Sequence, residues 1–183
     1  MLRIFIFFVF LILPFKVSAL IEVDITRGNL NPLPVAVSPL SIDENSRQAF
    51  EKSLKKKDIG SEISQIVENN LKTSGLFNPL NKDAFLQAPD IANLKPRFED
   101  WNLIKAQALI TGKVSFTENK LRVEFRLWDV LAGKEMMALA FTTVPNNWRR
   151  VGHIITDKVY ERLTGEKGYF DTRIIYVAEE GPK

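Results

Sequence analysis

The sequence predicts a small α/β (α+β) sandwich, built from a mixed sheet with an antiparallel three-strand meander and from two main helices. Two segments, near residues 58–74 and 148–163, carry apolar residues three and four positions apart, which is the spacing of one buried helix face. Between them, three segments alternate apolar and polar residues and are joined by short turns, as antiparallel strands are. A length of 183 residues gives room for one ordinary domain of this kind.

The composition excludes several classes of protein. Hydrophobic residues make up 45% of the chain and charged residues 26%, which is the balance of a globular protein rather than a disordered one. Cysteine is absent, which excludes disulfide frameworks, thiol nucleophiles and cysteine metal sites. His153 is the single histidine, so a zinc site of the common type lacks ligands. We therefore expect no metal and no cofactor.

Residues 1–19 have the three-part pattern of a cleaved secretory signal. Arg3 precedes an uncharged apolar run over residues 4–15, and small residues follow at the position where a signal peptidase cuts. The run is shorter than the roughly 20 residues of a membrane-spanning helix, and an uncleaved anchor is the alternative. Cleavage removes Arg3 and Lys16, leaves 23 basic against 22 acidic residues, and lowers the formal charge from +3 to +1. So small a charge gives no reason to expect nucleic-acid binding.

The mature N-terminus has a strand-like pattern. Residues 20–25 alternate apolar and acidic side chains, which predicts a half-buried strand or one that waits for a partner. Residues 27–32 have the composition of a turn, so residues 20–34 read as a strand and linker ahead of the domain. Exposed strands pair with other strands, and we expect this segment to bind another chain. Its residues are Leu20, Ile21, Glu22, Val23, Asp24 and Ile25.

The first part of the domain predicts one strand and one helix. Residues 35–37 form a short apolar strand that ends at Pro39, and residues 45–57 allow a helix. The helix ends in three lysines, Lys55 to Lys57. Such a run is either an anion contact or a solvated helix end, and the second is the ordinary interpretation.

Capping residues mark the first main helix. Asp58 is placed to cap its start, and Gly75 stands where a left-handed C-terminal cap belongs. For the chain that follows we expect a turn at residues 78–79, irregular structure over residues 81–95 and a short helix over residues 96–103. The expected buried members of this short helix are Phe98, Trp101 and Leu103.

The meander occupies residues 108–116, 121–128 and 136–141. One face of its middle strand is charged, so we expect that face to meet water or a partner while helices cover the other face. The second main helix follows and ends at Gly165 or Gly168. Residues 171–178 are a strand by residue type but have no visible partner of their own.

Candidate catalytic groups are few. His153 and Asp157 lie four residues apart, as a general base and its orienting carboxylate would. No nucleophile accompanies them, so an ordinary ion pair on a helix is the favoured interpretation. Asp129 and Glu135 bracket a turn, which offers no cleft between two carboxylates. We interpret the three tryptophans as packing residues rather than a stacking surface. The residues therefore indicate no enzyme.

Three stretches together resemble the TolB family of the Tol–Pal system. They are residues 58–60 with 71–80, residues 108–129, and residues 148–177. The last is the most specific, because its pattern Leu-Thr-Gly-x-Lys-Gly-x-Phe-x-Thr-Arg-Ile-x-Tyr-Val is long and unusual. The resemblance spans nearly all of the mature chain.

The resemblance implies a two-domain protein. Residues 35–168 would be its N-terminal α/β domain, similar to the anticodon-binding domain of class II tRNA synthetases, and a six-bladed β-propeller would follow. Residues 169–183 would be the first propeller strand, so the chain is either a fragment or a truncated gene product. Residues 41–57 are more basic than the Gly/Pro-rich loop common in the family, and the resemblance assigns them no role.

The resemblance also implies a function in the periplasm. The family works by protein contacts without catalysis, helps the outer membrane invaginate during cell division and keeps that membrane intact. Its N-terminal segment, here residues 20–25, contacts TolA, and its propeller, absent here, binds Pal. No nucleic acid and no small-molecule substrate are expected. The alternative is a truncated remnant without Pal binding or activity.

Overall fold

The computed structural model describes residues 31–55 and 58–172. Six strands in this part of the chain form one sheet: β1 (Leu33–Val37), β2 (Ser41–Ile42), β3 (Phe77–Pro79), β4 (Ala108–Thr117), β5 (Lys120–Asp129) and β6 (Lys134–Thr143). The α-helices in the same part are α1 (Glu44–Leu54), α2 (Ile59–Thr73), α3 (Pro89–Leu94), α4 (Phe98–Leu103) and α5 (Trp148–Thr164).

The sheet is mixed, with the strand order β3-β1-β4-β5-β6. β1 runs parallel to both β3 and β4, and β2 pairs with β4 farther along the same edge. β4, β5 and β6 form the antiparallel meander, in which Val114 lies opposite Val123 and Val123 opposite Phe141. The fold class predicted from the sequence, a mixed sheet with a meander and helices, is therefore confirmed.

Both main helices form where capping and periodicity place them. The Asp58 side chain accepts the backbone N–H of Ser61 at 3.1 Å and so caps α2. Gly165, with φ of +76°, ends α5 in the left-handed conformation. A Cβ on Gly152 would lie 2.9 Å from Cγ2 of Ile66, so the bare glycine lets α5 approach α2 closely.

The main core lies between these two helices and one face of the sheet. Each helix buries the apolar face predicted for it. The side chains of β1, β4 and β5 that point to this side of the sheet pack against the two helix faces. The helix residues of this core include Ile59, Ile63, Val67, Leu71, Val151, Ile155, Val159 and Leu163.

A second, smaller core occupies the opposite face of the sheet. Leu109 points to this face, and α4 covers it with Trp101, which is 1% exposed. Buried Gln87 organises the cover, because its Oε1 accepts from Trp101 Nε1 at 3.1 Å and from the backbone N–H of Arg97 at 3.0 Å. The sequence predicts that this face of the sheet meets water or a partner. That prediction is correct for only part of the face, because α4 covers the rest.

Three predictions about residues 76–103 are wrong. The turn expected at residues 78–79 is the edge strand β3, where the missing N–H of Pro79 costs no ladder bond. The irregular segment contains a 3₁₀ turn (Lys82–Ala84) and α3, which Pro89 opens at its first turn. Leu103 is 73% exposed rather than buried, because a six-residue helix can turn only one large side chain, Trp101, fully inward.

Candidate partner-binding site

The predicted partner-binding residues, Leu20 to Ile25, lie outside the described residues, as do the predicted signal segment and the strand beyond residue 172. The structure describes the point at which the N-terminal segment joins the domain. Asn31 and Pro32 are exposed, and the backbone N–H of Leu33 donates to the carbonyl oxygen of Leu76 at 2.9 Å. The segment thus passes from exposed residues directly into β1, one strand from the β3 edge of the sheet.

Five aliphatic side chains on or beside α3 and α4 are exposed to solvent. We name them together the α3–α4 surface, and they are between 49% and 84% exposed. Exposed aliphatic side chains that adjoin one another mark interaction sites, so this set is a candidate to be tested. No sequence pattern predicts this surface, because part of it falls in a stretch expected to be irregular. Its members are Leu86, Ile91, Leu94, Leu103 and, in the β5–β6 turn, Leu131.

The strand β6 forms the other edge of the sheet. Within the described residues it pairs with β5 alone, and no charged residue occurs between Met136 and Thr143. Leu139, near the middle of the strand, is 38% exposed. Such an edge can pair with another strand. Besides the N-terminal segment, β6 is therefore another candidate for pairing with an extended chain.

A shallow cleft of about 440 Å³ lies beside β2, between α1, α2 and α3. Three charged residues line it: Asp58 caps α2, Arg47 lies 3.5 Å from Glu44, and Asp90 lies in the first turn of α3. Two of these three side chains therefore have structural partners.

His153 packs between the two main helices. Its Nδ1 lies 2.9 Å from Nδ2 of Asn70, which also donates to Thr156 Oγ1 at 3.1 Å. The expected ion pair with Asp157 is wrong, because that carboxylate instead accepts the backbone N–H groups of residues 170 and 171. The structural interpretation of His153 holds, although with a different partner.

The other sequence candidates also have structural roles. Asp129 is 3% exposed and accepts the backbone N–H of Ala132 at 2.8 Å, which closes the β5–β6 turn. Glu135 pairs with Arg126 at 3.4 Å. The tryptophans are packing residues as predicted: Trp101 and Trp148 are buried in different cores, and Trp128 packs against the smaller one.

The lysine run is described only at its first residue. Lys55 ends α1 in the left-handed conformation, with φ of 54°, and its backbone N–H bonds to the carbonyl of Glu51. Lys56 and Lys57 lie outside the described residues. At Lys55 the solvated helix end is therefore the better interpretation.

The surroundings of Asp43 and of Tyr160 shift the pKa values of these two side chains. The backbone N–H of Ser46 holds the pKa of the Asp43 carboxyl below its ordinary value of 3.8, because it stabilises the carboxylate at the N-terminus of α1. Burial raises the pKa of the Tyr160 hydroxyl above its ordinary value. Both groups are structural, one a helix cap and the other part of an aromatic cluster.

Two features are absent from the described parts of the chain, residues 31–55 and 58–172. No three His, Asp or Glu side chains there come together in a way that could hold a metal ion. No helix there is long and apolar enough to span a membrane.

Comparison with known proteins places these features in a family context. A family model described as the TolB amino-terminal domain matches residues 21–136. The Tol-Pal system protein TolB of Pelagibacter ubique (strain HTCC1062) is 80% identical over 183 residues, which are all of this chain and 41% of that protein. The chain therefore spans less than half the length of this curated relative.

Solved structures give a weaker likeness. TolB from Acinetobacter baumannii has a TM-score of 0.60 and 22% identity, covering 76% of this chain and 30% of that chain, and at this identity it supports the fold alone. The C-terminal domain of LpoB from Salmonella enterica has a TM-score of 0.43 and 13% identity, covering 64% of this chain and 86% of that chain. That likeness is too low to carry an argument.

Proposed function

The chain belongs to the TolB amino-terminal domain family, and from this premise we propose that it is a non-enzymatic protein-interaction module of the Tol–Pal system. In this proposal its N-terminal segment binds TolA. In the same proposal, linkage to Pal is made by a propeller where one follows this domain. The module works in the periplasm, where it supports outer-membrane invagination during division and outer-membrane integrity.

One observation carries the proposal. The chain is 80% identical, over its whole length, to a protein named for the Tol–Pal system, so residues 20–25 fall within the matched region. The alternation of Ile21, Val23 and Ile25 with acidic residues supports a strand whose apolar face meets a partner. Main-chain hydrogen bonds would supply affinity, and the three apolar side chains would supply specificity.

The domain supports the proposal by giving this strand a fixed base. Residues 33–37 are held on both sides, by β3 and by β4, and the inner part of β1 is buried. A segment attached to such a strand is presented at a defined place on the surface. The formal charge of +1 after removal of the signal, and the structural roles of the candidate acid–base groups, favour protein contacts over nucleic-acid binding or catalysis.

A titration of the TolA C-terminal domain with residues 20–183 tests the proposal. We expect the triple substitution Ile21→Ser, Val23→Ser and Ile25→Ser to weaken binding by about 1,000-fold, since each loses roughly 1.5 kcal/mol of apolar burial and every 1.4 kcal/mol is tenfold in affinity. The matched control changes the other face of the strand, with Glu22→Gln, Asp24→Asn and Thr26→Ser. Unchanged affinity in the apolar triple variant, or an equal loss in both, would overturn the proposed contact.

A further inference from the structure

The most specific stretch of the sequence forms a strap on α5. After Gly165 the chain turns back and runs along the helix it has just left, as far as Thr172. We name residues 165–172 the strap. It reaches Asp157 and then Arg150, so it covers about the last four turns of α5, because a helix rises 5.4 Å per turn of 3.6 residues.

Asp157 clamps the backbone of the strap. One carboxylate oxygen accepts the N–H of Phe170 at 2.7 Å, and the other accepts the N–H of Asp171 at 3.1 Å. A carboxylate bound to two consecutive amides fixes the direction of the chain as well as its position, and such charge-assisted bonds are the stronger kind.

Gly168 allows the strap to lie this close. A Cβ at this position would overlap the backbone of Asp157, so no other residue fits without a shift. This close approach explains why a glycine stands three residues after the helix cap, where the helix has already ended.

Side chains hold the strap on both sides of the clamp. Phe170 stacks on Tyr169 with ring centroids 4.5 Å apart and meets Tyr160 edge-on at 5.8 Å. Arg150 pairs with Asp171 through Nε and Nη2, at 3.0 to 3.1 Å. The aromatic contact ties the strap to the main core, against which Phe170 also packs.

From this geometry we propose that the strap is a rigid coupling that fixes where and in which direction the chain leaves the domain, with Asp157 as its positioning residue. The chain passes Thr172 beside the first turns of α5, not at the C-terminal end of that helix. In the longer relative, more than half of the protein lies outside the region matched by this chain. A clamped exit holds Thr172 in a fixed position relative to α5, so the chain leaves the domain from a defined point.

Two measurements on the protein test the coupling. The first is amide hydrogen exchange at Phe170 and Asp171, compared with the core amide of Val159. We expect Asp157→Ala to speed exchange at both strap amides by about tenfold or more while the core amide is unchanged. Asp157→Asn, which keeps one acceptor oxygen, should give a smaller effect. Lys158→Gln is the matched control, because it alters only the neighbouring ion pair with Glu161.

The second measurement is a distance distribution between spin labels on Lys72→Cys and Thr172→Cys, both at exposed positions. The absence of native cysteine makes this pair unique. We expect a narrow distribution in the parent and in Lys158→Gln, and a broad one in Asp157→Ala. A broad distribution in the parent, unchanged strap exchange in Asp157→Ala, or faster exchange without broadening would each overturn the proposal.

Discussion

Gly60 shows how a single side chain, by its absence, positions α2 against the sheet. A Cβ at this residue would overlap the backbone carbonyl of Leu40. The same contact is reinforced by Ser64, whose hydroxyl accepts the N–H of Leu40 at 3.0 Å and lies 3.0 Å from the carbonyl of Ser38. The first two turns of α2 are therefore tied to the loop between β1 and β2.

We expect Gly60→Ala to lower the free energy of unfolding by about 1–3 kcal/mol, because the added methyl group must displace backbone rather than a flexible side chain. Chemical denaturation measures the change. Gln65→Ala, on the exposed side of the same helix, is the control and should change stability by less than about 0.5 kcal/mol. If Gly60→Ala lowered the free energy of unfolding no more than Gln65→Ala does, the contact between α2 and the Leu40 carbonyl would not be as close as described.

Asn70 is the residue that links the two main helices by hydrogen bonds. Loss of its bonds to Thr156 and to the His153 ring should cost about 1 kcal/mol in Asn70→Ala. Asn69→Ala, one residue earlier and exposed, is the matched control. Equal unfolding midpoints for the two variants would contradict the linking role of Asn70.

Among the helices and strands, those whose ends are set by nearby residues are predicted from the sequence, and those held by distant contacts are not. The ends of α2 and α5 were predicted closely, because Asp58, Gly75 and Gly165 act within a few residues of the helices that they delimit. β3 and α3 were missed because a three-residue strand and a six-residue helix are stabilised mainly by distant contacts. No local sequence pattern indicates that the Gln87 side chain accepts a hydrogen bond from Trp101 in the smaller core.

The N-terminus of α1 makes a prediction about pH. The pKa of the Asp43 carboxyl is lower in the folded protein than its ordinary value, so its stabilising effect is complete above about pH 4 and is lost as pH falls through the folded pKa. At pH 7 we expect Asp43→Ala to cost about 1 kcal/mol, the usual loss for a helix cap.

The control for this prediction is Asp43→Asn. Its amide oxygen can still accept the N–H of Ser46, but it does not ionise, so it should keep most of the stability at neutral pH. The difference between Asp43→Asn and Asp43→Ala should then be nearly independent of pH. If the deficit of Asp43→Ala persisted unchanged to pH 2, the carboxylate would not be the stabilising group.

At the scale of the whole molecule, the sheet separates a well-packed face from a more exposed one. α2 and α5 cover the first face completely enough to bury Phe125 and Leu127, whereas five aliphatic side chains on or beside α3 and α4 remain exposed. The sequence predicted the N-terminal segment as a binding strand, and this prediction stands untested outside the described residues. The sequence does not predict the α3–α4 surface, because the exposure of these side chains depends on how two short helices pack on the sheet.

The α3–α4 surface gives a prediction that separates it from the N-terminal segment. If TolA binds only residues 20–25, Leu94→Ser and Leu103→Ser together should leave its affinity unchanged. Because both leucines are more than 70% exposed, the variant should also keep its stability within about 1 kcal/mol. Weakened binding to TolA by a folded double variant would move the contact to the α3–α4 surface.

Truncation of the chain ahead of β1 shows whether a short strand in that segment is the contact with TolA. The C-terminal domain of TolA is titrated with residues 20–183 and with a chain that begins at Pro32, after amide exchange has shown both to be folded. Because only the longer chain keeps residues 20–25, we expect it alone to bind. Equal binding by the two chains, or binding by neither, would overturn the proposed contact.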